Sequence, residues 1–155
     1  MKKQMKRFQI SWCLGIAVFL LAAFMVTEAS AATIKVTNKT DRKVYVALMW
    51  WADGSESSSG TRGWWSVEPG KTKNLVWKGI DMAAVQVGYM GYYAQSGNLE
   101  WSGNGEITGW IHPTEGFESR GGEPIPGGEE VNFRMFETKL NADKTGAVGR
   151  ITLTR

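Results

Sequence analysis

The residues best suited to catalysis are few in this sequence. His112 is the single histidine, and Pro113 follows it directly, which favours an extended backbone at that position. A serine nucleophile would need this histidine beside it and a strained turn to present its hydroxyl. No G-x-S-x-G segment is present, and the serines at 55–59 lie in a small, polar stretch. The sequence therefore predicts an ordinary loop histidine and no enzyme activity.

Carboxylates are more numerous between positions 115 and 130. The glutamates there are Glu115, Glu118, Glu123, Glu129 and Glu130. A glycoside hydrolase needs two carboxylates that face each other across a cleft, a pairing that sequence spacing does not establish. No loop has the D-x-[DN]-x-[DN]-G spacing of a calcium site, and one histidine without a nearby cysteine does not make a zinc site. We expect solvated loop charges, no metal and no cofactor, with a glutamate-based hydrolase as the enzyme alternative.

The N-terminal segment has the order of a secretory signal peptide. Four basic residues lie within positions 2–7, an apolar run extends from Trp12 to Val26, and Ala29-Ser30-Ala31 has the small-x-small pattern of a cleavage site. We expect cleavage after Ala31, so that residues 1–31 are the leader and residues 32–155 form a single domain that is periplasmic or secreted. The apolar run is short for a spanning helix, which needs roughly 20 residues. An uncleaved membrane anchor is the alternative.

The composition that remains after the leader limits the partners. Cleavage after Ala31 removes four of the 18 basic residues and one of the 15 acidic ones, which leaves 14 of each on 124 residues. A neutral chain without a basic run gives no support to nucleic-acid binding. Cys13, the one cysteine, lies in the leader, so the exported domain has no disulfide and depends on its core. The composition leaves the oligomeric state open.

Period-two patterns recur along the rest of the chain, and they predict strands. In KVYVALMWW one face has Val44, Val46, Leu48 and Trp50, and the other has Tyr45, Ala47, Met49 and Trp51. Such a strand is either central, with both faces covered, or presents aromatic rings to a partner. The polar stretch at 52–62 is expected to be an exposed loop. The sequence predicts an all-β fold of seven to nine short, mostly antiparallel strands in a β-sandwich or flattened barrel.

Two turns have clear local signals. Pro69 presets the first central position of a turn and Gly70 suits the positive φ of the second, which is typical of a type II turn. Asn38 and Thr40 belong to the triplet NKT, which matches a glycosylation sequon. Because the leader looks bacterial, we expect the side chains of Asn38 and Thr40 to hydrogen-bond within their own turn.

The stretches IKVTNKTDRKVYVALMWW and TRGWWSVEPGKTKNL resemble the opening of a bacterial family catalogued as domain of unknown function 1036. In that family an Asn-x-Thr turn leads into a Val-x-Val-Ala strand, followed by Gly-Trp-Trp and a Pro-Gly turn. The matching positions are Asn38, Thr40, Val44, Val46, Ala47, Gly63, Trp64, Trp65, Pro69 and Gly70. The resemblance covers residues 33–77 and implies an extracytoplasmic β-rich domain without an established activity. A disulfide that the family would imply is absent, because this chain has no cysteine after its leader.

Aromatic residues that are adjacent in the sequence are the most informative feature for function. Side chains alternate along a strand, so the two rings of each pair point to opposite faces. The predicted ligand-contact residues are Trp51, Trp65, Tyr93, Trp101 and Trp110. The leading hypothesis is a non-enzymatic exported module that binds a protein or another envelope component through surface aromatics. One alternative is a carbohydrate-binding module that stacks sugars on Trp51, Trp65 and Tyr93. Another is a module that inserts these rings at a membrane interface.

Overall fold

The computed structural model describes residues 31–52, 55–80, 89–105, 107–142 and 144–155. Within these ranges the chain forms strands and turns and no helix, and so no helix there could span a membrane. The strands are β1 (Ala31–Asn38), β2 (Val44–Ala52), β3 (Ser55–Val67), β4 (Thr72–Lys78), β5 (Tyr89–Ser96), β6 (Leu99–Trp101), β7 (Thr108–Ile111), β8 (Phe117–Arg120), β9 (Glu129–Asn132), β10 (Arg134–Leu140) and β11 (Gly146–Leu153). The predicted all-β class is confirmed.

Nine of the strands form one sheet, in the order β4-β1-β11-β10-β5-β2-β3-β8, with β6 added to β5. Strand β6 continues along the edge of β5 that β10 occupies, because β2 holds the opposite edge. Every pairing in this sheet is antiparallel except that of β1 with β11, which is parallel in the register Ala31↔Gly146 to Asn38↔Leu153. Strands β7 and β9 form a separate two-stranded sheet. The count exceeds the predicted seven to nine because β6, β7, β8 and β9 have only three or four residues each.

The large sheet curls into a half-barrel and encloses an inner core. Four strands separate β4 from β2 in the sheet, and yet Trp77 of β4 lies 6.4 Å from Trp50 of β2 and 6.3 Å from Trp65 of β3, measured between ring centroids. Only a curled sheet brings these rings into contact. Val44, Val46, Leu48 and Trp50 lie on the face of β2 that points into this core, and Leu48 is fully buried at its centre.

The opposite face of β2 is covered as well, which gives the molecule an outer core. Ala47 and Met49 of β2 pack there with Tyr93, Ile111 and Phe133. Ile111 belongs to β7 and Phe133 lies between β9 and β10, so the two-stranded sheet acts as a second layer over this half of the large sheet. Strand β2 is therefore central, with both faces buried from Val46 to Trp50, while Tyr45 near its start is exposed. This matches one of its two predicted arrangements.

The outer face of β4, β1, β11 and β10 is open to solvent. Lys35, Val76, Val148 and Arg150 are exposed there, and Val76 and Val148 have 46% and 42% of their surface accessible. We call this surface the uncovered half. The outer face of the large sheet is therefore divided into two parts. Around β2 it is covered by the two-stranded sheet, and along the uncovered half it contacts solvent.

The polar stretch that composition predicts to be a loop is largely strand, so that prediction is wrong. Residues Ser55–Val67 form β3, and Ser59, Gly60 and Thr61 are buried. Gly60 pairs with Trp50, and a Cβ at position 60 would lie 2.9 Å from the indole Nε1 of Trp50. Position 60 is a glycine because the ring of Trp50 lies against it, and not because the backbone turns there.

Gly109 of β7 is predicted to be essential for the fit between the two layers. A Cβ there would lie 2.9 Å from Cγ2 of Thr61 and 3.1 Å from Sδ of Met49. We expect Gly109→Ala to lower the free energy of unfolding by about 1–3 kcal/mol through overpacking, measured by urea denaturation. Gly116→Ala is the matched control, because its new Cβ would meet a carbonyl oxygen of Gly63 at an ordinary 3.7 Å. Equal stability of the two variants would contradict the packing of β7 against β3.

Candidate functional site

A β-bulge in β3 places a cation beside an indole. Val46 pairs with Trp65 and Leu48 with Arg62, so β3 takes three steps where β2 takes two. The extra residue returns Arg62 to the face of Trp65. The guanidinium carbon of Arg62 lies 5.6 Å from the centroid of the Trp65 ring, a cation–π distance.

Strand β8 adds two charged side chains next to this pair. Glu118 is the cross-strand partner of Arg62, and its carboxylate lies 3.7 Å from Nε of Arg62. The other oxygen of Glu118 lies 3.1 Å from Nη2 of Arg120, two residues further along the same strand. One carboxylate thus lies between two guanidinium groups beside an indole. We call Arg62, Trp65, Glu118 and Arg120 the Arg–Trp cluster.

The cluster lies at the rim of the inner core, where the two ends of the curled sheet approach each other. Trp65 packs against Trp77 of β4, and a Cβ at Gly79 would lie 3.4 Å from Nη2 of Arg120. The side chains of Arg62, Glu118 and Arg120 are 40%, 35% and 64% exposed. The cluster is therefore accessible and yet supported by the core through Trp65.

The chemistry of this arrangement suits recognition. Guanidinium groups offer paired N–H donors to carboxylates and carbonyls, and they also lie flat against aromatic rings. Ion pairs with this exposure contribute about 0–1 kcal/mol to stability, so the fold gains little from them. The cluster can bind a planar polar group from a partner through the guanidinium donors and the carboxylate acceptor.

The predicted contact residues are distributed over several faces. Trp51, Trp65, Trp101 and Trp110 are half-buried, and Tyr93 is buried with 5% of its surface exposed. Trp65 and Trp101 pack against the inner core and Tyr93 lies in the outer core. By alternation from Met49, Trp51 lies on the outer side too. The structure therefore does not bring Trp51, Trp65 and Tyr93 onto one stacking surface.

Trp101 and Trp110 occupy separate positions. The indole Nε1 of Trp101 donates a hydrogen bond to the carbonyl oxygen of Thr154 at 2.8 Å, which ties β6 to the C-terminal residues. Trp110 lies between Gly109 and Ile111, whose positions face the outer core, so alternation directs its own ring away from that core.

Sequence reasoning did not identify Arg62, Glu118 and Arg120 as partners of Trp65. A local signal was present in the order Arg62-Gly63-Trp64-Trp65, because a glycine inside a strand often marks a bulge. Only glycine fits at position 63, because a Cβ there would lie 2.8 Å from the ring of Phe117. The pairing of β3 with β8 had no comparable signal.

Trp64 and His112 are structural partners. The indole Nε1 of Trp64 donates to the carbonyl oxygen of His112 at 2.8 Å, and its ring packs against Tyr93 and Phe117. Nδ1 of His112 accepts the backbone N–H of Glu115 at 2.9 Å. The two adjacent tryptophans therefore lie on opposite faces, with Trp64 on the outer core and Trp65 on the inner core.

The two predicted turns have these geometries. Gly70 has a φ of 67°, and the N–H of Lys71 donates to the carbonyl of Glu68 at 3.1 Å across Pro69 and Gly70. Oδ1 of Asn38 accepts the N–H of Thr40 at 2.9 Å. The amide nitrogen of Asn38 donates to the carbonyl oxygens of Arg42 at 2.7 Å and Val67 at 3.0 Å. The fully buried Asn38 amide thus joins the β1–β2 turn to the end of β3.

Comparisons with known proteins give no relatives. No family model matches the chain, and no curated protein or solved structure matches it. The resemblance to domain of unknown function 1036 stays a prediction. In the described part of the chain, no three histidine, cysteine, aspartate or glutamate side chains are grouped to hold a metal ion.

The hydroxyl of Tyr93, in the outer core, is a weaker acid than an ordinary tyrosine hydroxyl. Burial, and then the carboxylates of Glu100 and Glu129, raise the pKa of its hydroxyl from 10.0 to about 12. Burial also raises the pKa of Tyr92, although Arg134 opposes that shift. Both phenols are therefore held in the neutral form, which the low dielectric of the core favours.

The raised pKa of Tyr93 predicts a loss of stability at alkaline pH. Between pH 10 and about 12 the unfolded chain loses the Tyr93 proton while the folded chain keeps it, so the free energy of unfolding falls as pH rises. Tyr93→Phe should reduce this slope in urea denaturation measured across that range. Glu100→Gln should reduce it in part, because burial remains. Parallel stability curves for the wild type and Tyr93→Phe would contradict the raised pKa.

Proposed function

We propose that this chain is a non-catalytic binding module, exported to the periplasm or the medium, which recognises a protein or another component of the cell envelope. The observation that carries the proposal is the Arg–Trp cluster, in which the guanidinium of Arg62 lies 5.6 Å from the ring centroid of Trp65. Tryptophan and arginine are the residue types most enriched among those that dominate binding energy at protein interfaces. A supported indole with exposed charged neighbours matches that pattern.

The cluster favours a partner with carboxylate or carbonyl groups over a neutral sugar. Sugar stacking needs an open aromatic face, and Arg62 and Trp77 both lie against the Trp65 ring. Arg120 has the most exposed side chain of the cluster, and its guanidinium can form paired hydrogen bonds with a partner carboxylate. The partner surface that fits therefore presents acidic side chains or exposed backbone carbonyls.

The position of His112 supports a non-catalytic role. Nδ1 accepts amide hydrogens from Thr114 at 3.4 Å and Glu115 at 2.9 Å, so this nitrogen is engaged in holding its own loop. A general base must instead have a free lone pair within hydrogen-bonding distance of its substrate. Glu118, from the glutamate-rich segment, is held between two guanidinium groups.

The proposal is tested with immobilised protein and a detergent extract of the producing cell's envelope. We expect Arg62→Ala to abolish retention of a component that the wild-type protein retains, because the indole loses its guanidinium and Glu118 loses a partner. Binding is quantified by mass spectrometry of the eluate, and folding is checked by the urea midpoint of each variant.

Lys43→Ala is the matched control for Arg62→Ala. Lys43 has a side chain 44% exposed and pairs with Glu68 at 2.7 Å, so its loss removes a similarly exposed cation and a similar ion pair. We expect Lys43→Ala to retain the component as the wild type does. Equal retention by wild type and Arg62→Ala would overturn the proposal. Release of the component by neutral glycans would favour the carbohydrate alternative instead.

A further inference from the structure

The charges of this chain are segregated by strand although they balance overall. Strands β1, β4, β10 and β11 have six basic residues and one acidic residue, Glu137. The basic residues are Lys35, Lys73, Lys78, Arg134, Lys139 and Arg150. Strands β7, β8 and β9 have three glutamates and one arginine. Lys73 donates to the carbonyl oxygen of Ser66 and Arg134 lies beside Tyr92 of the inner core, so these two do not belong to the outer face. The other four cations face outward with Glu137, and the uncovered half is therefore the basic side of the molecule.

A groove runs across this basic surface along β1 and β11. One part, of about 770 Å³, is lined by Lys35, Lys139, Arg150 and Glu137, together with Thr33 and Val148. A second part, of about 350 Å³, shares Thr33 and Val148 and extends to Lys78, Asn141 and Thr145. The short side chains of Thr33 and Val148 thus connect two regions that are rimmed by longer basic side chains.

Two cations lie side by side in this groove, which also has the carboxylate of Glu137 in its lining. Lys35 and Arg150 are direct partners in the parallel register of β1 and β11. Among the described residues, neither has an acidic oxygen within 4 Å. Like charges that are directly opposite on a sheet are destabilising. A negatively charged ligand would relieve the repulsion between these two cations.

We propose that this groove binds a linear, carboxylate-bearing polysaccharide. The cations pair with the carboxylates of the ligand, the Thr33 hydroxyl serves as a neutral donor and acceptor to its hydroxyl groups, and Val148 contacts its apolar faces. The groove is a second binding surface, on different strands from the Arg–Trp cluster, and does not depend on that cluster.

The geometry disfavours two other anionic partners. A peptide that docks by adding a strand needs a free sheet edge, but β1 and β11 are each paired on both sides. Insertion into an anionic membrane uses protruding tryptophan, phenylalanine or leucine side chains. The large apolar side chains exposed at the centre of this face are the valines Val76 and Val148.

The test uses purified protein and polygalacturonate, a linear chain with one carboxylate on each sugar, in a surface-binding assay at low salt. We expect binding that weakens as sodium chloride is added, because salt screens exposed charges. Lys35→Gln combined with Arg150→Gln should weaken binding by about tenfold or more, which corresponds to about 1.4 kcal/mol. Arg155→Gln, which removes an exposed cation outside both the groove and the Arg–Trp cluster, should leave the affinity within about twofold.

Several results would overturn this proposal. The first two are absence of polygalacturonate binding by the wild type and an equal loss of affinity in Arg155→Gln. The others are equal binding of neutral dextran and tighter binding of polyglutamate or of phosphatidylglycerol vesicles. The urea midpoint of the double variant gives an independent check. An equal or higher midpoint supports a role in binding, since a like-charge pair has been removed. A lower urea midpoint would show that Lys35 and Arg150 stabilise the fold, and would contradict their role in binding.

Discussion

The structure depends on the alternation of apolar side chains along β2. Because successive side chains of a strand point to opposite faces, Leu48 and Met49 cannot enter the same core. Each face needs its own cover, and the chain provides two different ones. The large sheet curls until Trp77 reaches Trp50, which closes the inner core, and the two-stranded sheet lies over the outer core. The half-barrel and its second layer both follow from one doubly apolar strand.

The abundance of tryptophan and the abundance of glycine have a common physical cause. Large rings in adjacent layers need neighbours without side chains, as Gly60 provides for Trp50 and Gly63 for Phe117. Gly149 does the same for Phe136, where a Cβ would lie 2.8 Å from the ring. Half-buried rings then support charged side chains at the surface, as Trp65 supports Arg62. The uncovered half has no such rings at its centre, and basic side chains occupy it instead.

The amino-acid sequence predicts the strands whose alternation is strong, and it predicts the doubly apolar character of β2. Composition misleads at Ser55–Thr61, where small polar residues are typical of a loop but the backbone is a strand, with Gly60 against the indole of Trp50. The short strands β6 to β9 leave too few residues for a period-two signal. The Arg–Trp cluster could not be predicted because it depends on a bulge at Gly63 and on a long-range pairing of Arg62 with Glu118. The contacts of Trp77 with Trp50 and with Trp65 also depend on the curl of the sheet, which no local pattern encodes.

The most direct test of the two-core account compares the free energies of unfolding of Leu48→Ala and Met49→Ala in urea. Leu48 lies in the inner core and Met49 in the outer core, and both are buried. The account predicts that each substitution costs about 2–5 kcal/mol. Val148→Ala, at an exposed position, should change stability by less than about 0.5 kcal/mol. A Met49→Ala variant as stable as Val148→Ala would contradict the account, since the outer face of β2 would then have no core to lose.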